Sequence, residues 1–437
     1  MLFVLRSAWP LMLGMLLLML GNGLQGTVLG IRGTLEGYSA ETMSYVMSAY
    51  FLGFLLGSWR GPAMIRRVGH VRVFAALASL ISAVFILYAA APDPWAWVAM
   101  RFAVGFCFAG VYVVAESWLN DAASNETRGQ ALSLYMIVQM LGIISAQGIV
   151  TLADPSGYTL FVVMSVLVSI SFAPILLTAG DAPAFQTSKR LSLGRLYRIS
   201  PLGCVGTFLL GGVLAGTFGM GAVFGMEKGL SVVQISAFVA TVYAGGLLAQ
   251  YPIGRISDRM DRRRLIQILT AGGAVLLAGG IAFSGTYTVI LVLGLVTGAV
   301  ANPLYSLLIA HTNDYLEPAD MAGAAGGLLF INGLGSMIGP LAIGALMTRF
   351  GADAYFAYMS SLLALIALYA TWRATRRPAP AVDTTSPYAP VAPQASPVAM
   401  ELAQEVAIER AADTTNAAGA EAAGETDAEP ELESENR

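Results

Sequence analysis

Long apolar blocks recur along most of this sequence and decide what the chain can fold into. About twelve blocks of roughly 18–25 residues alternate with short polar breaks, and each can cross ~30 Å of hydrocarbon as a helix. Only 12% of residues are charged and 56% are apolar, which excludes an ordinary soluble domain. We predict an all-α integral membrane protein with twelve transmembrane helices. The predicted spans are 9–32, 43–60, 73–91, 95–118, 130–152, 159–179, 201–226, 232–253, 265–283, 286–310, 323–348 and 354–372.

The distribution of lysine and arginine predicts the orientation of these spans. With the amino terminus inside, the segments on that side up to Arg377 carry 18 Lys and Arg. The opposite side carries three, which are Arg32, Lys228 and Arg349. Because cytoplasmic loops are enriched in basic residues, we predict a multi-pass protein of a bacterial-type inner (plasma) membrane with both termini in the cytoplasm.

An internal repeat predicts two related halves. Residues of the first half recur 193 positions later: Gly105, Tyr112, Asn120 and Asp121 correspond to Gly298, Tyr305, Asn313 and Asp314. Weak parallel repeats of this kind are typical of two bundles related by an axis along the membrane normal. We predict pseudo-symmetric six-helix bundles at 1–180 and 201–377, joined by a cytoplasmic loop at 181–200.

The carboxyl-terminal tail, 378–437, differs in composition from the rest of the chain. It contains 12 acidic and two basic residues and almost no aromatic ones. Such a composition buries too little apolar surface to offset the loss of chain entropy. We predict a disordered acidic cytoplasmic tail that is dispensable for the activity of the helical body.

The residue types that enzymes use are scarce. Both cysteines lie in apolar blocks, and the only lysines, Lys189 and Lys228, stand outside any Gly-Lys-Ser/Thr phosphate loop. With only two histidines, no metal site is expected, and His311 is predicted to be solvated. We predict no enzyme activity, cofactor, metal ion or nucleic-acid partner. The expected partners are the lipid bilayer, a small-molecule substrate and, as an open question, protons; we expect a monomer.

The fourth predicted helix carries polar residues where hydrocarbon would reject them. A central arginine costs ~2.5–3.5 kcal/mol to insert, so it should face a cavity or a partner. One interpretation is that Arg101 binds a substrate group and Glu116 carries a proton. The stripe, roughly 80° wide, comprises Arg101, Gly105, Phe108, Tyr112 and Glu116.

A structural interpretation of the same residues stays open. Arg101 could bond neighbouring carbonyls, and Glu116 could pair with Arg67 or Arg128. The two side chains are ~22 Å apart along one helix, which is too far for a direct ion pair.

Amide side chains on other predicted helices are further candidates for substrate binding. We assign them, with Tyr112, either to the cavity or to contacts between helices, which in membranes are worth ~0.6–2 kcal/mol. These residues are Asn22, Gln25, Gln139, Asn302 and Asn332. Tyr50, Tyr243 and Tyr305 are interpreted as packing or interface residues, with contact to a substrate as the alternative.

A ten-residue segment carries a resemblance to a known family. Gly254-Arg-Ile-Ser-Asp258-Arg259-Met-Asp261-Arg-Arg resembles the loop motif of the major facilitator superfamily, with Asp261 in place of its second glycine. The pattern over roughly residues 5–375 is similar to the YcaD-like branch of bacterial transporters. The resemblance implies the two-bundle fold and a secondary transporter.

The resemblance also implies a gating role for the loop that follows the second helix of each half. Its candidate residues are Gly254, Asp258, Arg259 and Arg67. In the first half, Arg66 occupies the slot of the family's aspartate. Asp258 is therefore expected to act as a latch against the start of helix five, near Gly129 and Gln130, where a helix amino terminus stabilises an anion.

These observations together predict a secondary active transporter that moves a small polar or anionic solute by alternating access. One alternative is a drug or metabolite efflux pump, although the glycine-proline motif of drug/proton antiporters is absent after Gly142. The other is a transport-inactive assembly or sensor protein, since a fold does not fix a function.

The orientation can be tested with single cysteines in intact cells. A membrane-impermeant maleimide added outside should label Asp154→Cys and Asp353→Cys but not Ser188→Cys, because the positive-inside rule places only the last in the cytoplasm. Labelling of Ser188→Cys would reverse the topology. Each variant is compared with the same chain lacking the added cysteine.

Overall fold

The computed structural model describes residues 2–122, 125–178, 191–378, 380, 385 and 387–409, and all regular secondary structure in these ranges is helical. The first six helices are α1 Leu2–Leu35, α2 Ala40–Val68, α3 His70–Ala90, α4 Pro94–Ala122, α5 Asn125–Val150 and α6 Thr159–Thr178. The next eight are α7 Leu193–Ile199, α8 Pro201–Ala215, α9 Gly221–Glu227, α10 Val232–Ser257, α11 Arg262–Ile281, α12 Tyr287–Asn313, α13 Pro318–Phe350 and α14 Ala354–Ala374. A last helix, α15, covers 397–409.

Ten helices in these ranges are long and apolar enough to cross a membrane, and one of them combines α8 and α9. Helices α2 and α6 occupy the other two predicted blocks; the apolar part of α6 is the shorter stretch Thr159–Pro174. The helical class of the protein is thus confirmed, while the count of twelve spans stays a prediction. Of the predicted loop 181–200, residues 181–190 lie outside the described residues, and the remainder contains α7.

Glycines at equivalent places of the repeat let two helix pairs touch through their backbones. A Cβ at Gly105 of α4 would lie 2.0 Å from the Tyr50 carbonyl oxygen of α2. A Cβ at Gly298 of α12 would lie 1.7 Å from the Val242 carbonyl oxygen of α10. Neither distance is possible for a real side chain. Each of these two helix pairs therefore depends on a glycine for its close backbone contact, as small residues permit in membrane proteins.

The two ends of the helix assembly differ in how the two parts of the chain meet. We call the end with Arg66, Arg128 and Arg262 the basic end. At the opposite end, residues before 178 contact residues after 201 directly: Ser48 of α2 donates to the Met337 carbonyl of α13, and Gly30 of α1 packs against Ala222 of α9. At the basic end, part of the tail lies between them.

The expected disorder of the tail does not hold for residues 387–409. These residues pack against the membrane helices, and Val391, Met400 and Leu402 are buried. The remaining tail, apart from 378, 380 and 385, lies outside the described residues. One short apolar face, on α15, packs against the membrane helices. The average composition of the tail does not reveal this face.

The expectation that His311 is solvated is also wrong. Its ring is 4% exposed and meets the Tyr315 ring edge-on at 5.2 Å. Helix α12 continues to Asn313, and the Arg377 guanidinium covers Tyr315 at 4.0 Å. The predicted span ended at 310, whereas α12 ends at Asn313. His311 therefore lies inside the helix assembly.

A buried ion pair ties three helices together at the basic end. Arg262 at the start of α11 donates to Asp314, just after α12, and both side chains are nearly inaccessible. Arg262 also donates to the Ser257 hydroxyl at the end of α10, at 3.1 Å. Removing one member of such a pair leaves an uncompensated buried charge.

Substitution of the contact glycines should lower stability. Gly298→Ala must push α10 and α12 apart, and overpacking of this kind costs ~1–3 kcal/mol. Gly272→Ala is the matched control, because it lies on α11 with nothing within 4 Å of the added Cβ. Thermal unfolding in detergent should show a lower midpoint only for Gly298→Ala. Equal midpoints for the two variants would contradict the backbone contact.

Breaking the buried ion pair should be far more costly than breaking an exposed one. Asp314→Asn should lose up to ~3–5 kcal/mol, because Arg262 stays buried and keeps, among the described residues, only the partly exposed Asp258, at 3.4 Å, as an ionic partner. Asp320→Asn removes the partner of Arg195, whose side chain is 55% exposed, and should lose at most ~1 kcal/mol. Denaturant unfolding of both variants measures the difference. Similar losses would show that Arg262 is compensated by other groups.

Candidate functional site

Arg101 lies buried in α4 with three kinds of contact around its guanidinium. One terminal nitrogen donates to the Gln25 amide oxygen at 2.5 Å, and the other approaches the Met47 sulfur at 3.7 Å. Its carbon Cζ lies 4.7 Å from the centre of the Tyr50 ring. Amide and aromatic groups thus stabilise this cation, through one charge-assisted hydrogen bond and one cation–π contact.

None of the described residues forms an ion pair with Arg101. The ion pairs in the described ranges involve other residues, and the Nε atom of Arg101 has no described hydrogen-bond partner. The sequence analysis considered neighbouring carbonyl groups as partners of Arg101. In the structure its hydrogen-bond partner is the side-chain amide of Gln25. A positive charge with spare donors is therefore held between the helices.

Arg101 lines a small cavity of about 40 Å³ between the two parts of the chain. Asn22 and Gln147 line it from the first part, and Thr217 and Tyr243 from the second. Gln394 of the tail lines the same cavity. The side of this cavity formed by the second part includes the π-helical turn Gly216–Met220 that separates α8 from α9, a feature that often occurs at functional sites.

The structure brings several predicted substrate-binding residues near Arg101. Gln25 bridges Arg101 and the Tyr88 hydroxyl, to which it donates at 3.1 Å. Tyr112 is fully buried and its hydroxyl lies 3.3 Å from the Met19 sulfur and 3.4 Å from the Gln394 amide oxygen. Asn22 and Gln25 therefore belong to the Arg101 site, and Tyr112 faces the tail.

The remaining predicted amides lie elsewhere. Asn302 donates to the Gly298 carbonyl of its own helix at 3.3 Å and packs against Gly246. Asn332 donates to the Thr207 carbonyl of α8 at 3.2 Å and lines the larger cavity described below. Gln139 is buried, with no described partner for its amide nitrogen. Asn302 thus makes a contact between helices. Asn332 makes such a contact and also lines a cavity.

Glu116 is fully buried near the basic end. Its carboxylate accepts from the Tyr135 hydroxyl at 3.2 Å and from the backbone N–H of Ser396 at 3.0 Å. Arg128, suggested as its partner by the sequence, pairs instead with Glu405 at 2.8 Å and Glu409 at 3.5 Å. Tail residues therefore contact both Glu116 and Arg128.

The four predicted gating residues have different surroundings. Asp258 accepts from the Tyr388 backbone N–H at 2.7 Å and from Arg262 at 3.4 Å, so its described partners do not include the start of α5. Gly254 packs against the Tyr388 ring. Arg259 and Arg67 are exposed and have no described side-chain partner.

Asp261, the residue that departs from the family motif, has a local role. Its side chain accepts from the Arg263 backbone N–H at 2.9 Å and caps the start of α11. Aspartate is among the preferred residues for this position. The replacement of glycine therefore supports α11 at the end of the loop.

A larger cavity of about 440 Å³ lies between α2 and α13. Most of its lining is apolar and includes Phe51, Phe54 and Phe330, together with Asn332 and the tail residue Gln394. Gln394 lines both cavities, so this side chain stands where they adjoin.

For the aromatic part of the site, the sequence analysis favoured packing over contact with a substrate. Tyr50 lies beneath the guanidinium, and Tyr243 lines the same cavity and stacks on Phe218 at 5.0 Å. The two tyrosines are 193 residues apart, the same offset as the repeat. That offset was a signal that they occupy equivalent positions at the interface of the two parts.

Comparison with known proteins agrees with this architecture. The curated relatives include an uncharacterized MFS-type transporter, YcaD, of Escherichia fergusonii, 26% identical over 360 residues that cover 82% of this chain and 93% of that protein. YcaD of Escherichia coli O6:K15:H31 is 25% identical over 359 residues, with the same coverage of both chains.

Solved structures share the fold at low sequence identity. The nucleoside transporter NupG has a TM-score of 0.71 at 14% identity and covers 84% of this chain and 98% of its own. A bacterial homologue of the human lysosomal transporter Spinster, in an inward-facing and unoccupied conformation, has a TM-score of 0.66 at 13% identity and covers 93% of this chain and 98% of its own. The sequence profile of the Major Facilitator Superfamily matches residues 11–240 and 203–408. The chain therefore belongs to the Major Facilitator Superfamily and is a membrane transport protein.

Proposed function

We propose that this protein is a secondary active transporter that moves a small polar or anionic solute across the inner membrane. The solute binds at Arg101, between residues 1–180 and 201–377, where the cavity of about 40 Å³ widens to admit it. These two parts, each a bundle of six transmembrane helices, rock against each other to expose the cavity to one side at a time. The basic end faces the cytoplasm, as the distribution of basic residues favours.

One observation carries the proposal: Arg101 is a buried cation without a described carboxylate partner, in a cavity that both parts of the chain line. An arginine inside a membrane normally pairs with an opposite charge or with backbone carbonyls, or it faces a cavity that belongs to a substrate or ion pathway. The spare donors of Arg101 fit a carboxylate, phosphate or carbonyl group. Tyr50 and Tyr243 offer aromatic faces to the rest of the solute.

The larger cavity supports a second candidate, the efflux of a mainly apolar drug or metabolite. Its volume of about 440 Å³ and its phenylalanine side chains are typical of sites that bind drug-sized ligands. A screen that yields apolar ligands whose affinity does not depend on Arg101 would favour this candidate.

The binding role of Arg101 can be tested on purified protein. A thermal-stabilisation screen against metabolites and drugs first identifies a binding solute. Arg101→Ala should fold, because no partner carboxylate is left unpaired, and should lose solute binding. Arg101→Lys should bind with an intermediate affinity, because lysine keeps the charge but not the bidentate geometry.

Arg349→Ala is the control for this experiment, since Arg349 lies in the last turn of α13 at the opposite end. It should bind the solute with normal affinity. Unchanged affinity in a folded Arg101→Ala protein would refute the site.

Glu116 is proposed to carry the coupled proton. In proteoliposomes, Glu116→Gln should exchange solute across the membrane at a normal rate but fail to accumulate it in response to a pH gradient, because glutamine has nearly the same size as glutamate but cannot bind and release a proton. Normal gradient-driven accumulation by Glu116→Gln would refute the coupling role and leave the Arg101 site standing.

A further inference from the structure

Residues 387–409, here called the docked segment, enter the helix assembly at its basic end. Prolines at 387, 390 and 393 favour an extended chain. Ser396 then caps α15 by accepting from the Val398 backbone N–H at 3.1 Å, and Pro397 occupies the first helical position, where proline is preferred. The local sequence thus favours an irregular, proline-rich stretch with a turn at 393–394, followed by a helix.

The helix α15 has one apolar face that the membrane helices cover. Its buried residues recur at helical spacing, and Met400 is fully buried, with its sulfur 3.9 Å from the Tyr305 hydroxyl. Glu405 on the other face is exposed. The buried face comprises Ala399, Met400, Leu402, Ala403, Val406 and Ala407, and beside it the buried Gln404 accepts a hydrogen bond from the Asn313 amide at 2.5 Å. An amphipathic helix of this kind needs an apolar surface against which to pack.

The proline-rich stretch of the docked segment bonds to helices of the second half. The Tyr388 ring fills the space above Gly254, and its hydroxyl accepts from Gln250 at 3.0 Å. Burial raises the pKa of this phenol, which keeps it neutral. Val391 exchanges two hydrogen bonds with the Ser306 hydroxyl, at 2.9 and 3.2 Å.

The following residues bond to helices of the first half. Gln394 reaches Tyr112 at 3.4 Å and lines the cavity of Arg101. The Ser396 N–H donates to Glu116, so this carboxylate lies at the amino terminus of α15, where a helix stabilises an anion. Farther along, Glu405 and Glu409 pair with Arg128 of α5. One short segment therefore connects both halves across the space between them.

This position has two consequences for transport. The two halves cannot approach each other at the basic end while 387–409 lies between them, because packed interiors do not accommodate an extra helix. A solute at Arg101 also meets Gln394 on its path to that end. The docked segment therefore obstructs both the pathway and the closing movement.

We propose that residues 387–409 form an autoinhibitory segment that docks between the halves at the basic end and closes the cavity from that side. This inference rests on the proposed transport function for its inhibitory role, whereas docking itself does not. Only residues 375–386 separate the docked segment from α14. Its binding between the halves is therefore intramolecular and occurs at a high effective concentration. Release of the segment opens the cavity and frees Glu116 for proton exchange.

Docking can be measured without any transport assay. The reporter is Ser306→Cys, whose side chain faces Val391, in a chain whose buried Cys107 and Cys204 are replaced by alanine. Purified protein is treated with a polar maleimide. Deletion of 378–437 should speed labelling by about 10-fold or more, because protection depends on how often the segment opens. Deletion of 410–437, which keeps the segment, should leave the rate unchanged.

Two further measurements strengthen this test. Met400→Asp in the full chain should speed labelling as the deletion does, because a charge at a fully buried position opposes docking. A synthetic peptide of residues 387–409 at millimolar concentration should protect the shortened protein, and a peptide of scrambled order should not. Equal labelling of the full chain and the 378–437 deletion would overturn the docking.

The inhibitory role is tested by uptake of a solute found in the stabilisation screen. Proteoliposomes with the 378–437 deletion should take up the solute faster than those with the full chain, and those with the 410–437 deletion should match the full chain. Equal rates for all three would overturn the inhibition. If labelling responds as expected and none of the proteins moves the solute, docking is supported and the proposed transport function fails.

Discussion

The desolvation of a single cation, Arg101, makes the strongest demand on this structure. Inserting an arginine at the centre of a membrane helix costs ~2.5–3.5 kcal/mol, and the described residues offer it an amide oxygen and an aromatic ring rather than a carboxylate. Tyr50 reaches the guanidinium because Gly105, one turn along from Arg101, lets the backbones of α2 and α4 touch at Tyr50. A packing constraint in the first half thus positions a group of the site.

The tail reaches the cavity in which the charge of Arg101 is only partly compensated. Gln394 lines the cavity of Arg101 and Ser396 bonds Glu116, so the tail reaches both polar residues of α4 for which we propose transport roles. At the opposite end, the two halves meet through α2 and α13. A cavity that helices close at one end and the tail closes at the other is the arrangement that the proposed control of transport by the docked segment requires.

Much of the fold follows from the sequence, because apolar block length and glycine spacing are local properties. The repeat offset matched Gly105 with Gly298 before their backbone contacts were known. The surroundings of Asn302 could not be predicted, since helical periodicity does not say which neighbour a face will meet. The docking of 387–409 was missed because a composition averaged over 60 residues hides the short apolar face around Met400, and because its partners are distant in sequence.

The occupancy of the Arg101 cavity is the most direct test of this account. Val239→Cys, in a chain without Cys107 and Cys204, places a thiol in the cavity wall at a residue with no proposed role in binding, and its rate of reaction with a small thiol reagent reports whether the cavity is filled. A stabilising solute at about ten times its Kd should slow the reaction by about 10-fold, because few sites stay empty, and the same concentration should give no protection in an Arg101→Ala background. Equal protection in both backgrounds would show that the solute binds without Arg101 and would contradict the central claim.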